Sequence, residues 1–206
     1  MDSEITRATI VNWALIELAH PANFSIDVES ELGGIVHSVW QRVVDQTFAL
    51  HDWTFCRRTR KLPRKDEQPE TGYRFAFILP DDRIGDPLKI STDPQNIRPL
   101  REYTIEGEEL HANEPDIWVR VRVEVDPKRW DPAFRAAFVT ALASTLAVPL
   151  MHDASAAAEL HGKAFGSPSQ GGAGGEFGRL IAQNLASEPK GSPFEGYDPL
   201  VDARFM

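Results

Sequence analysis

Residues 117 to 125 read IWVRVRVEV, and no other stretch of the chain restricts the fold as tightly. Ile117, Val119, Val121, Val123 and Val125 alternate with Trp118, Arg120, Arg122 and Glu124. In an extended chain, side chains two apart point the same way, so the aliphatic row faces a core and the polar row faces away. A strand with one apolar face needs partner strands and a layer to cover it. Tyr73, Phe75, Phe77 and Leu79 alternate likewise and stop at Pro80, and REYTIEGEELHAN reads as a hairpin about Glu106-Gly107. With residues 53–62 added, four or five short strands are expected to form a small antiparallel sheet within residues 53–125.

Helical patterns flank this region. Ala8, Val11, Leu15 and Leu18 recur at helical spacing over residues 3–20, and Pro21 breaks the pattern. Ser25 is expected to cap a second helix over 26–50, with Asp27 and Glu29 in its first turn and Val28, Leu32, Ile35, Val36, Val39 and Val43 along one face. After the strands, Asp131 and Pro132 form a cap and first-turn pair for a helix over 131–148, stopped by Pro149. Asp153 caps a helix over 153–165, GSPSQGGAGG is a break, and residues 176–187 close the set. The reading is α+β: two N-terminal and two or three C-terminal helices bundled around a small central antiparallel sheet, in one domain spanning 1–187. Residues 188–206 are read as an extended arm. Its Phe194, Tyr197, Leu200, Val201, Phe205 and Met206 stand among prolines and glycines, as in a segment that folds onto a partner.

Composition narrows the chemistry. A net charge of −9 disfavours broad nucleic-acid binding, because neutralising phosphates needs a basic surface. The single cysteine excludes an internal disulfide framework and a cysteine-based zinc site. The amino terminus lacks a basic segment before its apolar stretch and reads as an amphipathic helix, not a signal peptide; no run is expected to span a membrane. His51, Asp52 and Cys56 stand close in sequence, but Cys56 is read as a buried or edge thiol. The histidines show neither HxxxH nor HExxH spacing. GGAGGEFG lacks the Lys-Ser/Thr of a phosphate loop, and the acids of EGEELHANEPD read as a solvated hairpin tip. No catalytic, cofactor-binding or metal residue is assigned. What remains is the run Arg57, Arg58, Arg60, Lys61, Arg64 and Lys65, which could touch phosphates or, in the preferred reading, the acidic surface of a neighbouring subunit.

The order of several segments carries a resemblance. IVNWALIELAH resembles an N-x-A-L-x-x-L helix, LHDWTFCRRTRKL an h-x-W-x-F-A strand, and GYRFAFILPDD a Y-x-Y-x-Y-x-L-P-x-D segment; WDPAFRAAFVTALASTLAVPL resembles a dPxFxxALxxxLAxxLAxPL helix, followed by HDASAAAELHGKAF. Together, from about Ile5 to Phe165, they resemble the phage head-to-tail adaptor (head-completion) proteins, such as tail tubular protein A of short-tailed phages. Two departures stand out: Ala19-His20 where the family has a glycine, and the Gly-rich insertion in its last helix. The resemblance implies a structural virion protein at the head-tail junction, assembled in the host cytoplasm, with no enzymatic activity, no cofactor and no membrane. It implies a homo-oligomeric ring, usually a dodecamer, that contacts the portal protein and a tail or stopper protein and lets DNA pass. The six arm residues would dock on the portal, and the six cations would meet a neighbouring subunit or line the channel. The alternatives are a peptidoglycan-cleaving hydrolase using acids of residues 102–116, notably Glu108 or Glu109, and a DNA-binding regulator using Arg57–Lys65.

Overall fold

The IWVRVRVEV stretch supplies a central strand in the computed structural model, which describes residues 4–26, 30–95, 99–167, 169 and 174–187. Strand β6 (Trp118–Arg122) lies between β1 (Arg57–Lys61) and β3 (Lys89–Ser91), antiparallel to both. A second sheet has the order β2 (Phe75–Ile78), β5 (Glu109–Ala112), β4 (Tyr103–Glu106), also antiparallel. The small antiparallel sheet expected from sequence is thus divided into two three-stranded sheets, A and B. Proline explains the division. Pro63 follows β1 and Pro115 stands between β5 and β6, and neither can donate to a ladder that would carry the strands on. Isolated bridges extend each sheet by one residue, Arg64↔Phe77 beside β2 of sheet B and Ser91↔Pro99 beside β3 of sheet A. The hairpin turns at Gly107-Glu108, one residue beyond the expected centre, with Gly107 at φ 59°.

The first strand is shorter than expected. Residues 54–56 form a turn, closed by the Cys56 N–H on the Trp53 carbonyl at 3.2 Å, and pairing begins only at Arg57. Trp53 is buried, and its indole N–H donates to the Thr47 carbonyl at 3.0 Å, so the turn hangs on the preceding helix.

The helices are α1 (Arg7–Glu17), α2 (Glu31–Ala49), α3 (Pro132–Met151), α4 (Ala154–Phe165) and α5 (Gly175–Ser187). The two hydroxyls of Thr6 and Thr9 cap α1 reciprocally. Asn12 then clamps the following loop, donating to the Phe24 carbonyl at 3.0 Å and accepting from its N–H at 2.9 Å. That clamp holds residues up to Phe24 outside a helix, so α2 is capped by Ser30, whose hydroxyl accepts from Gly33 at 3.0 Å, and not by Ser25. Asp27, Val28 and Glu29 lie outside the described residues. α1 ends with Ala19 at φ 53°, a left-handed position that favours glycine.

Helix α3 begins as expected, with the Asp131 carboxylate accepting from Ala133 and Phe134. Pro149 does not stop it. A proline this near the end removes one hydrogen bond, and the helix continues to Met151 and closes at His152, φ 55°. With 20 residues and a mean hydropathy of 1.6, α3 has the length and composition of a membrane span, contrary to the sequence expectation. Here α1, α2, α4 and α5 pack around it, which makes it the central helix of the core. Phe134 is the hub of that core, with ring centroids 4.8 Å from Phe55, 5.1 Å from Trp53, 5.4 Å from Phe48 and 5.7 Å from Phe177. Trp53 and Phe55 therefore seat the start of β1 on the helices. Of the Gly-rich segment 166–175, Gly166, Ser167, Ser169, Gly174 and Gly175 are described. A Cβ on Gly175 would overlap the Lys163 carbonyl oxygen, so the turn into α5 requires glycine.

Candidate functional site: a basic sheet face

Alternation along β6 sends Val119 and Val121 into the core, 0% and 1% exposed, and sends Trp118, Arg120 and Arg122 to the opposite face of sheet A. The register decides what they meet. Arg57 stands opposite Arg122, Lys61 opposite Trp118, and Arg120 has Thr59 on one side and Lys89 on the other. Five cations and one indole therefore share one side of a three-stranded sheet, with two cross-strand pairs of like charge, Arg57/Arg122 and Arg120/Lys89. Residues directly opposite in an antiparallel pair have Cβ atoms about 4.5–5.5 Å apart, and like charges there are destabilising.

The surroundings of the five differ. Arg57 holds Asp52, its Nε 2.6 Å from Oδ1. Lys61 pairs with Asp116 at 2.7 Å and lies 5.2 Å from the centre of the Trp118 ring. Arg122 donates to the Ala49 carbonyl at 2.8 Å, and its Nε is buried without a hydrogen-bond partner. Arg120 and Lys89, both half-buried, have no carboxylate within ion-pair distance among the described residues. Among the described residues, the charge at the middle of the face has no ion-pair partner.

The basic run singled out from sequence does not stay together. Arg57 and Lys61 belong to the face just described. Arg58 and Arg60 point to the other side of β1, where Arg58 donates to the Phe55 and Arg57 carbonyls and Arg60 grips Asp82 through two bonds of 2.7 and 2.8 Å. The bond to Arg60 holds the Asp82 carboxyl below its ordinary range, and Arg60 is raised in return. Beyond Pro63 the chain joins sheet B. There Arg64 lies over Phe75 at 5.0 Å, and Lys65 binds Glu109 at 2.8 Å. Lys89, Arg120, Arg122 and Trp118 were not candidates in the sequence reading. The polar row of the WVRVR alternation was their only local signal, and Lys89 joins it solely through pairing.

Other candidates resolve as follows. Cys56 is fully buried, its thiol donates to the Trp53 carbonyl, and burial, seconded by Asp52, pushes its pKa up to about 11, so it is not poised as a nucleophile. Glu108 is held below the usual glutamate range by Arg83, and Glu109 by Lys65 and then His111. His111 is buried on β5 between Glu109, at 3.3 Å, and the Thr71 hydroxyl, at 2.9 Å. An apolar groove of about 520 Å³ runs between α1 and α3, where Trp13 and Ile16 are exposed. Phe194, Tyr197, Leu200, Val201, Phe205 and Met206 lie outside the described residues. Neither a protein-family model nor a curated protein matches the chain.

Proposed function

We propose that the chain is a structural assembly protein, a head-to-tail adaptor that forms a ring beneath a phage portal, extends the DNA channel and offers the tail its attachment surface. Beside the ordered resemblance of its segments, one observation supports this reading most: sheet A places arginine against arginine and arginine against lysine, at a cost to its own stability, on a face that an acidic protein surface would complement. The hydrolase alternative requires a carboxyl group that stays protonated near neutral pH. The pairing of Glu108 with Arg83 and of Glu109 with Lys65 works in the opposite direction.

Electron microscopy of negatively stained protein, alone and mixed with portal rings, tests the proposal. Annular particles seated coaxially on the portal are expected. Single copies that ignore the portal would refute it. Deleting residues 189–206 is expected to abolish portal binding, and unchanged affinity would remove the arm from the proposal. A zymogram is expected to show no clearing, and clearing that disappears in Glu108→Gln or Glu109→Gln would establish the hydrolase instead.

A further inference from the structure

We infer that the basic face of sheet A docks on the acidic loop end of sheet B in a second copy of this chain, so that copies join head to tail. This rests on the ring reading and names its contact. The sign of the face sets the symmetry. In a two-fold dimer a patch meets its own copy, which here would bring Arg120 and Lys89 against Arg120 and Lys89. A self-contact through this face must therefore be heterologous, using a different patch on the neighbour.

The chain carries such a patch. Residues 66–70 read DEQPE, and Asp66, Glu67 and Glu70 are exposed. This loop is held to the end of sheet B by the Thr71 hydroxyl on His111 at 2.9 Å and by the Arg74 N–H on the Asn113 side chain at 3.2 Å. Glu114 follows Asn113, and Glu102 precedes Tyr103, whose strand partner is Ala112, so both acids join the same end. None of these five acids forms an ion pair among the described residues, as is true of Arg120 and Lys89. Among the described residues, charges of both signs without an ion-pair partner thus stand at two separate places.

A nucleic acid fits the same face less well. The net charge of −9 repels it at long range, and the Trp118 ring that would stack on a base is occupied by the Lys61 ammonium. A heterologous contact leaves each copy with one patch for either neighbour, and such contacts generate rings when the rotation closes.

Two charge-reversal variants decide the matter: Lys89→Glu/Arg120→Glu on the basic face, and Glu67→Lys/Glu70→Lys/Glu114→Lys on the acidic end. Analytical ultracentrifugation of the full chain should show wild-type assemblies weakening on the order of tenfold or more as salt rises from about 0.05 M to about 0.5 M. Each variant alone should remain monomeric. An equimolar mixture should regain assembly, because one variant then carries acidic charge at both patches and the other basic charge at both. The neutral pair Lys89→Gln/Arg120→Gln, checked for folding by circular dichroism, should also lose assembly. The inference is overturned if wild type stays monomeric at low salt, if either variant assembles like wild type, or if the mixture stays monomeric. It is also overturned if Lys89→Glu/Arg120→Glu loses DNA retardation while keeping self-association. Wild-type binding to portal rings is read separately: binding with unchanged variant assembly removes only this contact, and no binding removes the adaptor reading.

Discussion

Sheets A and B have the same number of strands, the same antiparallel pairing and an apolar inner face each, yet they treat charge in opposite ways. On sheet B, Lys65 binds Glu109, Glu109 also meets His111, and His111 meets Thr71, so each polar group along this chain of contacts has a partner. On sheet A, Arg57 faces Arg122 and Arg120 faces Lys89, with no acid between either pair in the ladder. Sheet B thus pairs its charges internally, whereas on sheet A Asp52 and Asp116 pair Arg57 and Lys61, and Arg120 and Lys89 have no carboxylate partner among the described residues. A local arrangement that works against the fold is expected at functional or strained sites, and the proposed contact between copies would supply the missing compensation.

The comparison can be broken at its base. Phe134→Ala empties the aromatic hub that seats the start of β1 on the helices, with an expected loss of about 3–5 kcal/mol. One cooperative urea transition, followed by both tryptophan fluorescence and circular dichroism, is expected. Two separated transitions would mean that the sheets are independent units, and their charge patterns would then need separate explanations.

A second substitution separates the sheets. His111→Ala should cost about 1–3 kcal/mol, because it removes a buried side chain and strips partners from Thr71 and Glu109. Hydrogen exchange should quicken around residues 66–74 and in β5 while β6 keeps its protection. Equal loss in both sheets would show that sheet B's network supports the whole molecule.

Acid sharpens the contrast further, with a smaller effect. The folded pKa values of Glu108 and Glu109 lie below the ordinary glutamate value of about 4.3. Their contribution is present above that value and is lost as pH falls through the depressed folded values. Exchange measured from about pH 5 downward should therefore show the β4–β5 hairpin loosening, with the Arg83 and Lys65 contacts as the cause; a hairpin indifferent to acid would contradict this.

Much of the fold is legible in the sequence because its signals are local. The valine alternation of β6, the Asp131-Pro132 start of α3 and the hairpin near Gly107 each need only neighbouring residues to be read. What is not legible depends on distant pairing. Ser25 was as good a cap as Ser30 until Asn12 took hold of Phe24. The division into two sheets follows from prolines whose effect shows only once partners are assigned. The candidate site suffered most. Six cations close in sequence separate to two faces of β1 and a second sheet, whereas Lys89, in a different part of the chain, joins Arg120 through register alone.

The most direct test of the claim that sheet A's like charges are kept for a contact is Arg120→Glu, measured for stability and self-association together. A carboxylate opposite Lys89 replaces a repulsive cross-strand pair with an attractive one. The urea midpoint should therefore rise, by about 0.2–1 kcal/mol in stability, while self-association falls. A midpoint that stays the same or drops, with assembly intact, would contradict the claim.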